Sequence, residues 1–88
     1  MLIIEKSEVA NWLLLSYKSE QKQVKDKLDL FQRKYNQTFS IFEMNIRNAE
    51  QENFEKWDDY IEWKAYQKSL NNLNLNIQEI EKGRFKVA

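Results

Sequence analysis

The chain has 88 residues, 42% of them hydrophobic and 32% charged, enough apolar material for the core of one small domain, in which about 60–65% of the unfolded surface is buried. Fourteen cationic and fourteen anionic side chains cancel, which excludes attachment to nucleic acid through an overall basic field. The absence of cysteine and histidine removes thiol nucleophiles, imidazole bases, disulfides and the usual zinc sites.

Met1-Leu2-Ile3-Ile4 is too short for a signal segment and meets Glu5 and Lys6 at once. The longest apolar run, from Trp12 to Leu15, is far below the roughly 20 residues of a membrane-spanning helix. The expectation is a cytoplasmic chain with no membrane partner. There is no proline and one glycine, Gly83, so the chain reads as mostly helix.

Ser7 is the expected N-cap of the first helix, with Glu8 in its first turn. From there Ala10, Leu14, Tyr17, Gln21, Val24, Leu28, Phe31 and Tyr35 recur at alternating spacings of four and three. That is a coiled-coil-like seam, and it predicts a helix over 8–35. Asn36-Gln37 interrupts it and Thr38 can cap a restart, with Phe39, Phe42, Ile46 and Ala49 forming a short helix over 39–49. Asn53 is a candidate cap for a third helix over 54–82, in which Trp63, Tyr66, Leu70, Leu73, Ile77 and Ile80 make a second seam. Leu73-Asn74-Leu75-Asn76-Ile77 alternates as a strand would, but the seam runs through it and helix is preferred. Gly83 suits a left-handed helix end.

Two long helices with matching seams predict an all-α single domain over 1–88. Its expected architecture is an antiparallel helical hairpin with the short helix at the turn end. Both termini then lie at the other end, where Leu2-Ile3-Ile4 could meet Phe85, Lys86 and Val87 as a two-stranded scrap or an apolar latch.

A hairpin needs one seam per helix, and this chain has more. Phe54, Trp57, Ile61, Ala65 and Leu75 fall opposite the second seam, and Trp12 and Leu15 point away from the first. One reading covers them internally, with the short helix over Trp57 and Ile61 and the termini over Trp12 and Leu15. The other offers them to a second chain, either a protein partner or another copy in a homodimer. Charge is segregated: residues 43–62 hold seven acids against two bases, with Glu50, Glu52, Glu55, Asp58, Asp59 and Glu62 interleaved among Phe54, Trp57, Tyr60 and Trp63. An acidic, aromatic strip complements a basic protein; its plainer reading is a solvated helix face. The expected partner surface is Trp57, Asp58, Asp59, Tyr60, Glu62 and Trp63, with Trp12 and Leu15 as a second patch.

Chemistry finds little purchase. Asp58/Glu62 and Glu55/Asp59 have spacings that could hold a cation, but no calcium-loop pattern accompanies them. The five serines have no imidazole partner and one glycine cannot make a phosphate loop. The expectation is therefore no enzyme, no metal and no cofactor. Lys82, Arg84 and Lys86 around Phe85, and Lys18, Lys22 and Lys25 on helix 1, are local basic patches that give nucleic-acid binding a low weight.

The segment from Tyr35 to Trp63 also carries a family pattern: a Tyr, a polar turn, the Thr38 cap with Phe39 and Phe42, a Glu-containing linker, then Asn53-Phe54-Glu55-Lys56-Trp57-Asp58-Asp59-Tyr60-Ile61-Glu62-Trp63. It resembles small helical proteins of bacteria and archaea that are often encoded immediately before a toxin-like protein and treated as antitoxins. Asn36-Gln37 stands where that pattern has a glycine, and Ile41 where it has the acid of a capping box. The resemblance implies a non-enzymatic helical inhibitor of a basic toxin, with a homodimeric scaffold as the alternative.

Overall fold

A computed structural model describes residues 1–86. The described residues form three α-helices and no strand: α1, Lys6–Tyr35; α2, Phe39–Arg47; and α3, Phe54–Glu81. The molecule is a rod of 64 × 19 × 19 Å, with α1 and α3 packed against each other along their seams and α2 against α3.

Every seam residue of α1 from Ala10 to Tyr35 is half-buried, and on α3 Trp63, Leu73, Ile77 and Ile80 are buried. No residue of α1 is fully buried; the buried residues lie on α2 and α3. Gln21, the polar member of the seam, donates from Nε2 to Asn74 Oδ1 at 2.7 Å, which meets the hydrogen-bonding need that half-burial creates. Other cross-contacts run from Lys6 to the Gly83 carbonyl, 2.9 Å, and from Lys34 to Asp59, 2.7 Å.

The densest packing lies where α2 joins the pair. Phe42, Tyr60 and Trp63 are buried there, with Leu28, Phe31, Tyr35, Phe39 and Ile46 against them. Trp63 is 2% exposed, stacked on Phe31 at 5.6 Å between ring centroids and tilted against Phe42 at 5.2 Å. These separations lie in the range where aromatic pairs attract beyond simple area burial.

Local chemistry explains the breaks. Asn36 closes α1 in the left-handed conformation, φ 51°, which asparagine tolerates better than most residues; this is how the turn forms without a glycine. Thr38 and Asn53 cap α2 and α3, their side-chain oxygens accepting from the Ile41 and Lys56 amides. Gly83, φ 70°, ends α3 in a Schellman motif, its amide donating to the Ile80 carbonyl and the Arg84 amide to that of Glu79.

Three expectations change. Ser7 does not cap α1: the helix begins at Lys6 behind Glu5, whose carbonyl, not a side chain, accepts from the Glu8 and Val9 amides. The helical stretch of α2 ends at Arg47 instead of reaching Ala49, since Asn48 leaves helical geometry as its C-cap. The terminal latch is also different. Leu2 and Ile3 stay exposed, and it is Lys6 that joins the ends, through Gly83 and by placing its ammonium 4.7 Å from the Phe85 ring centre. Val87, expected in that contact, lies outside the described residues.

Candidate protein-binding surface

The Asn53 cap fixes where α3 starts and so which way its first turns face. Phe54, Trp57 and Ile61, at i, i+3 and i+7, form one row pointing away from α1. They are 76%, 49% and 52% exposed. The cover expected from α2 is not there. Phe39 stacks on Tyr60 at 5.9 Å, and Phe42 packs on Tyr35 and Trp63, so the short helix turns its apolar side inward and leaves the outer row bare. Trp57 leans on Tyr60, with ring centres 5.4 Å apart and the planes tilted by 47°.

The structure therefore divides the predicted strip. Trp63 and Tyr60 are core residues, a correction to their expected place on the partner surface. Trp63 fills the α1–α2–α3 junction, and Tyr60 is buried with its hydroxyl donating to Glu43 Oε2 at 2.7 Å. Asp59 is held internally as well. Its Oδ2 accepts from Lys34 Nζ at 2.7 Å and from the Tyr35 hydroxyl, while Lys34 also donates to Glu55 Oε1 at 3.0 Å. The Glu55/Asp59 pair considered for a metal thus already embraces an ammonium from α1.

The ionisation of this cluster follows its geometry. Burial first, and then the hydrogen bond to Asp59, push the Tyr35 phenol up to about 12. Partial burial works against the Asp59 carboxylate, but the hydrogen bonds from Lys34 and Tyr35 outweigh it and hold the carboxyl below its ordinary value. The bonds to Asp59 and then Glu55 hold the Lys34 ammonium well above its own. Each shift favours the paired form, a tie between α1 and α3.

Asp58 and Glu62 behave otherwise. Both are exposed, beside the Phe54–Trp57–Ile61 row, and among the described residues neither has a cation within ion-pair distance. Glu50 and Glu52, exposed in the α2–α3 loop, are in the same position. The loop, the end of α2 and the first turn of α3 enclose an open cleft of about 920 Å³, with Ile46, Ala49, Phe54 and Trp57 in its walls and Glu50 and Glu52 at its rim. Trp12 and Leu15, on the outer side of α1, are exposed as well; the described terminal residues do not shield them.

Phe54 and Ile61 belong to the surface and were not singled out as site residues. Their signal was present in the sequence: both fall with Trp57 on the face opposite the α3 seam. No helix among the described residues is long and apolar enough to cross a membrane. No protein-family model matches the chain, and no curated protein or solved structure matches it either.

Proposed function

We propose that this chain is a protein-binding module without catalytic chemistry, an antiparallel helical hairpin that presents an acidic, aromatic face to a basic protein partner. In its working form it inhibits a toxin-like protein in the cytoplasm, as an antitoxin does. The antiparallel reading is supported by the contact order: Lys6 with Gly83, Gln21 with Asn74, Lys34 with Asp59. As the number falls on one helix it rises on the other.

The observation that carries the function is the row Phe54–Trp57–Ile61, about half or more exposed, bordered by Asp58 and Glu62, which have no counter-ion among the described residues. Apolar area beside unpaired charge is what a partner of opposite sign can use, the apolar part giving affinity and the charge giving rate and selectivity. The row is also short. Beyond Ala65 the same face carries Lys68 and Asn72 before it reaches the exposed Leu75, and those two polar positions would interrupt a coiled coil along the whole of α3. A local patch at the turn end suits a docked partner better than a scaffold built on this helix.

The test is co-expression with the protein encoded beside this chain. Co-purification and relief of growth inhibition are expected, and Trp57→Ala or the pair Asp58→Lys and Glu62→Lys should weaken both while circular dichroism stays helical. A partner captured equally well by all these variants, or none captured, refutes the reading.

A further inference from the structure

We propose that the outer face of α1 is a homodimer interface, on which a second copy of this chain packs antiparallel about a two-fold axis near Ser19 and Lys22. The proposal is independent of the α3 surface and leaves that surface free on both copies.

The face lies opposite the α1 seam and has a periodicity of its own. Glu8, Trp12, Leu15, Ser19, Lys22, Asp26, Leu30 and Arg33 succeed one another at spacings of three and four, and all are exposed. Trp12, Leu15 and Leu30 are 56%, 71% and 57% exposed, left largely uncovered by the described residues. Among the described residues Glu8, Lys22, Asp26 and Arg33 have no ion-pair partner.

The order of these residues is self-complementary in one direction only. In an antiparallel pair centred between Ser19 and Lys22, Glu8 lies opposite Arg33 of the second copy and Trp12 opposite Leu30. Leu15 rests beside Asp26 and Leu30, and by symmetry each contact occurs twice. A parallel pair would set Glu8 on Glu8, Lys22 on Lys22 and Arg33 on Arg33, like charges at every level. A basic partner of the kind that fits α3 finds no acidic field here, since Glu8 and Asp26 are balanced by Lys22 and Arg33. Lys22 is the exception, falling near its own symmetry mate, with its stem free to carry the ammonium sideways into water. From Glu8 to Arg33 the strip is about 38 Å long and about 10 Å wide, roughly 400 Å² in projection. Over both copies that is about 800 Å², below a standard-size interface, which makes the dimer weak and concentration-dependent.

Sedimentation equilibrium of the chain alone, from about 5 to 500 µM, should show monomer passing to dimer. Leu15→Ala and Trp12→Ala should each weaken the dimer at least about tenfold, and Lys22→Ala should tighten it. Because the chain has no cysteine, the register can be read by cross-linking. Ser19→Cys should oxidise to a covalent dimer and Glu8→Cys should not, its two copies lying about 38 Å apart; in a parallel pair both positions lie beside their own mates and both would oxidise. A monomer throughout the range, a dimer indifferent to Trp12 and Leu15, or cross-linking through Glu8→Cys each overturns the proposal. Loss of the co-expressed partner on Trp57→Ala with dimerisation intact would separate the two surfaces.

Discussion

Trp57 and Trp63 stand six residues apart on one helix, and replacing each by alanine should give opposite results. Trp63 is 2% exposed and touches Phe31, Tyr35, Phe39 and Phe42, so Trp63→Ala removes a whole buried side chain and leaves a cavity. Its cost is about 3–5 kcal/mol, a large part of the ~4–13 kcal/mol that a chain of this length holds in total. Trp57 is about half exposed. Half of a tryptophan's ~200 Å² is ~100 Å², or ~2.5 kcal/mol at 25 cal/mol/Å², and the alanine that remains brings the expected loss to about 1–2 kcal/mol. The other half is available to a partner, and burying it there is worth ~2 kcal/mol, about a 30-fold change in Kd. Urea unfolding followed at 222 nm measures the first quantity and titration calorimetry with the co-purified partner the second. Trp63→Ala should lose a large part of the urea midpoint; Trp57→Ala should lose much less of it and bind weakly. Equal destabilisation by the two substitutions would refute the assignment of one to the core and the other to the surface.

The Lys34–Tyr35–Asp59 cluster makes stability depend on pH at both ends. Asp59 has a folded pKa below its unfolded one, so its contribution is present above about pH 4 and is lost as the pH falls through the folded value. Tyr35 is raised from 10.0 to about 12, so its contribution is full below pH 10 and lost as the pH rises toward 12. A tyrosinate titration at 295 nm should show a late step that Tyr35→Phe removes, and Asp59→Asn should move it only part of the way down, since burial is the larger cause. Gly83→Ala should cost about 1–2 kcal/mol in thermal unfolding, all of it from backbone conformation, because an added Cβ meets nothing within 4 Å; an unchanged melting temperature would contradict the Schellman end. Gln21→Ala should destabilise by about 1–3 kcal/mol by leaving Asn74 unpartnered, whereas Gln21→Leu with Asn74→Leu should be neutral or stabilising, as urea midpoints will show.

The seams were legible because helix periodicity is a property of the chain itself. Each residue from Ala10 to Tyr35 that the spacing of four and three picked out is half-buried, and Trp63, Leu73, Ile77 and Ile80 are buried. The caps of α2 and α3 were legible for the same reason, since Thr38 and Asn53 act on amides three residues away. Ser7 misled because Glu5 begins α1 through its carbonyl, and a main-chain acceptor leaves no mark on residue type.

Which side of α3 would be covered was a different kind of question. Periodicity places Trp57 and Trp63 on different faces, but the path of the loop over residues 48–53 decides which face α2 meets, and that loop has no period to read. The amount of uncovered surface was nevertheless fixed in advance. α2 is nine residues long and carries one inward set, Phe39, Phe42 and Ile46, enough to close one side of α3. Had it swung over Trp57 and Ile61, Tyr60 and Trp63 would have lost their cover, and the exposed aromatic area would have moved without shrinking. The proposed partner surface therefore follows from the ratio of apolar faces to covering elements, and the side of α3 left exposed is Phe54, Trp57 and Ile61, next to Asp58 and Glu62, which have no ion-pair partner among the described residues.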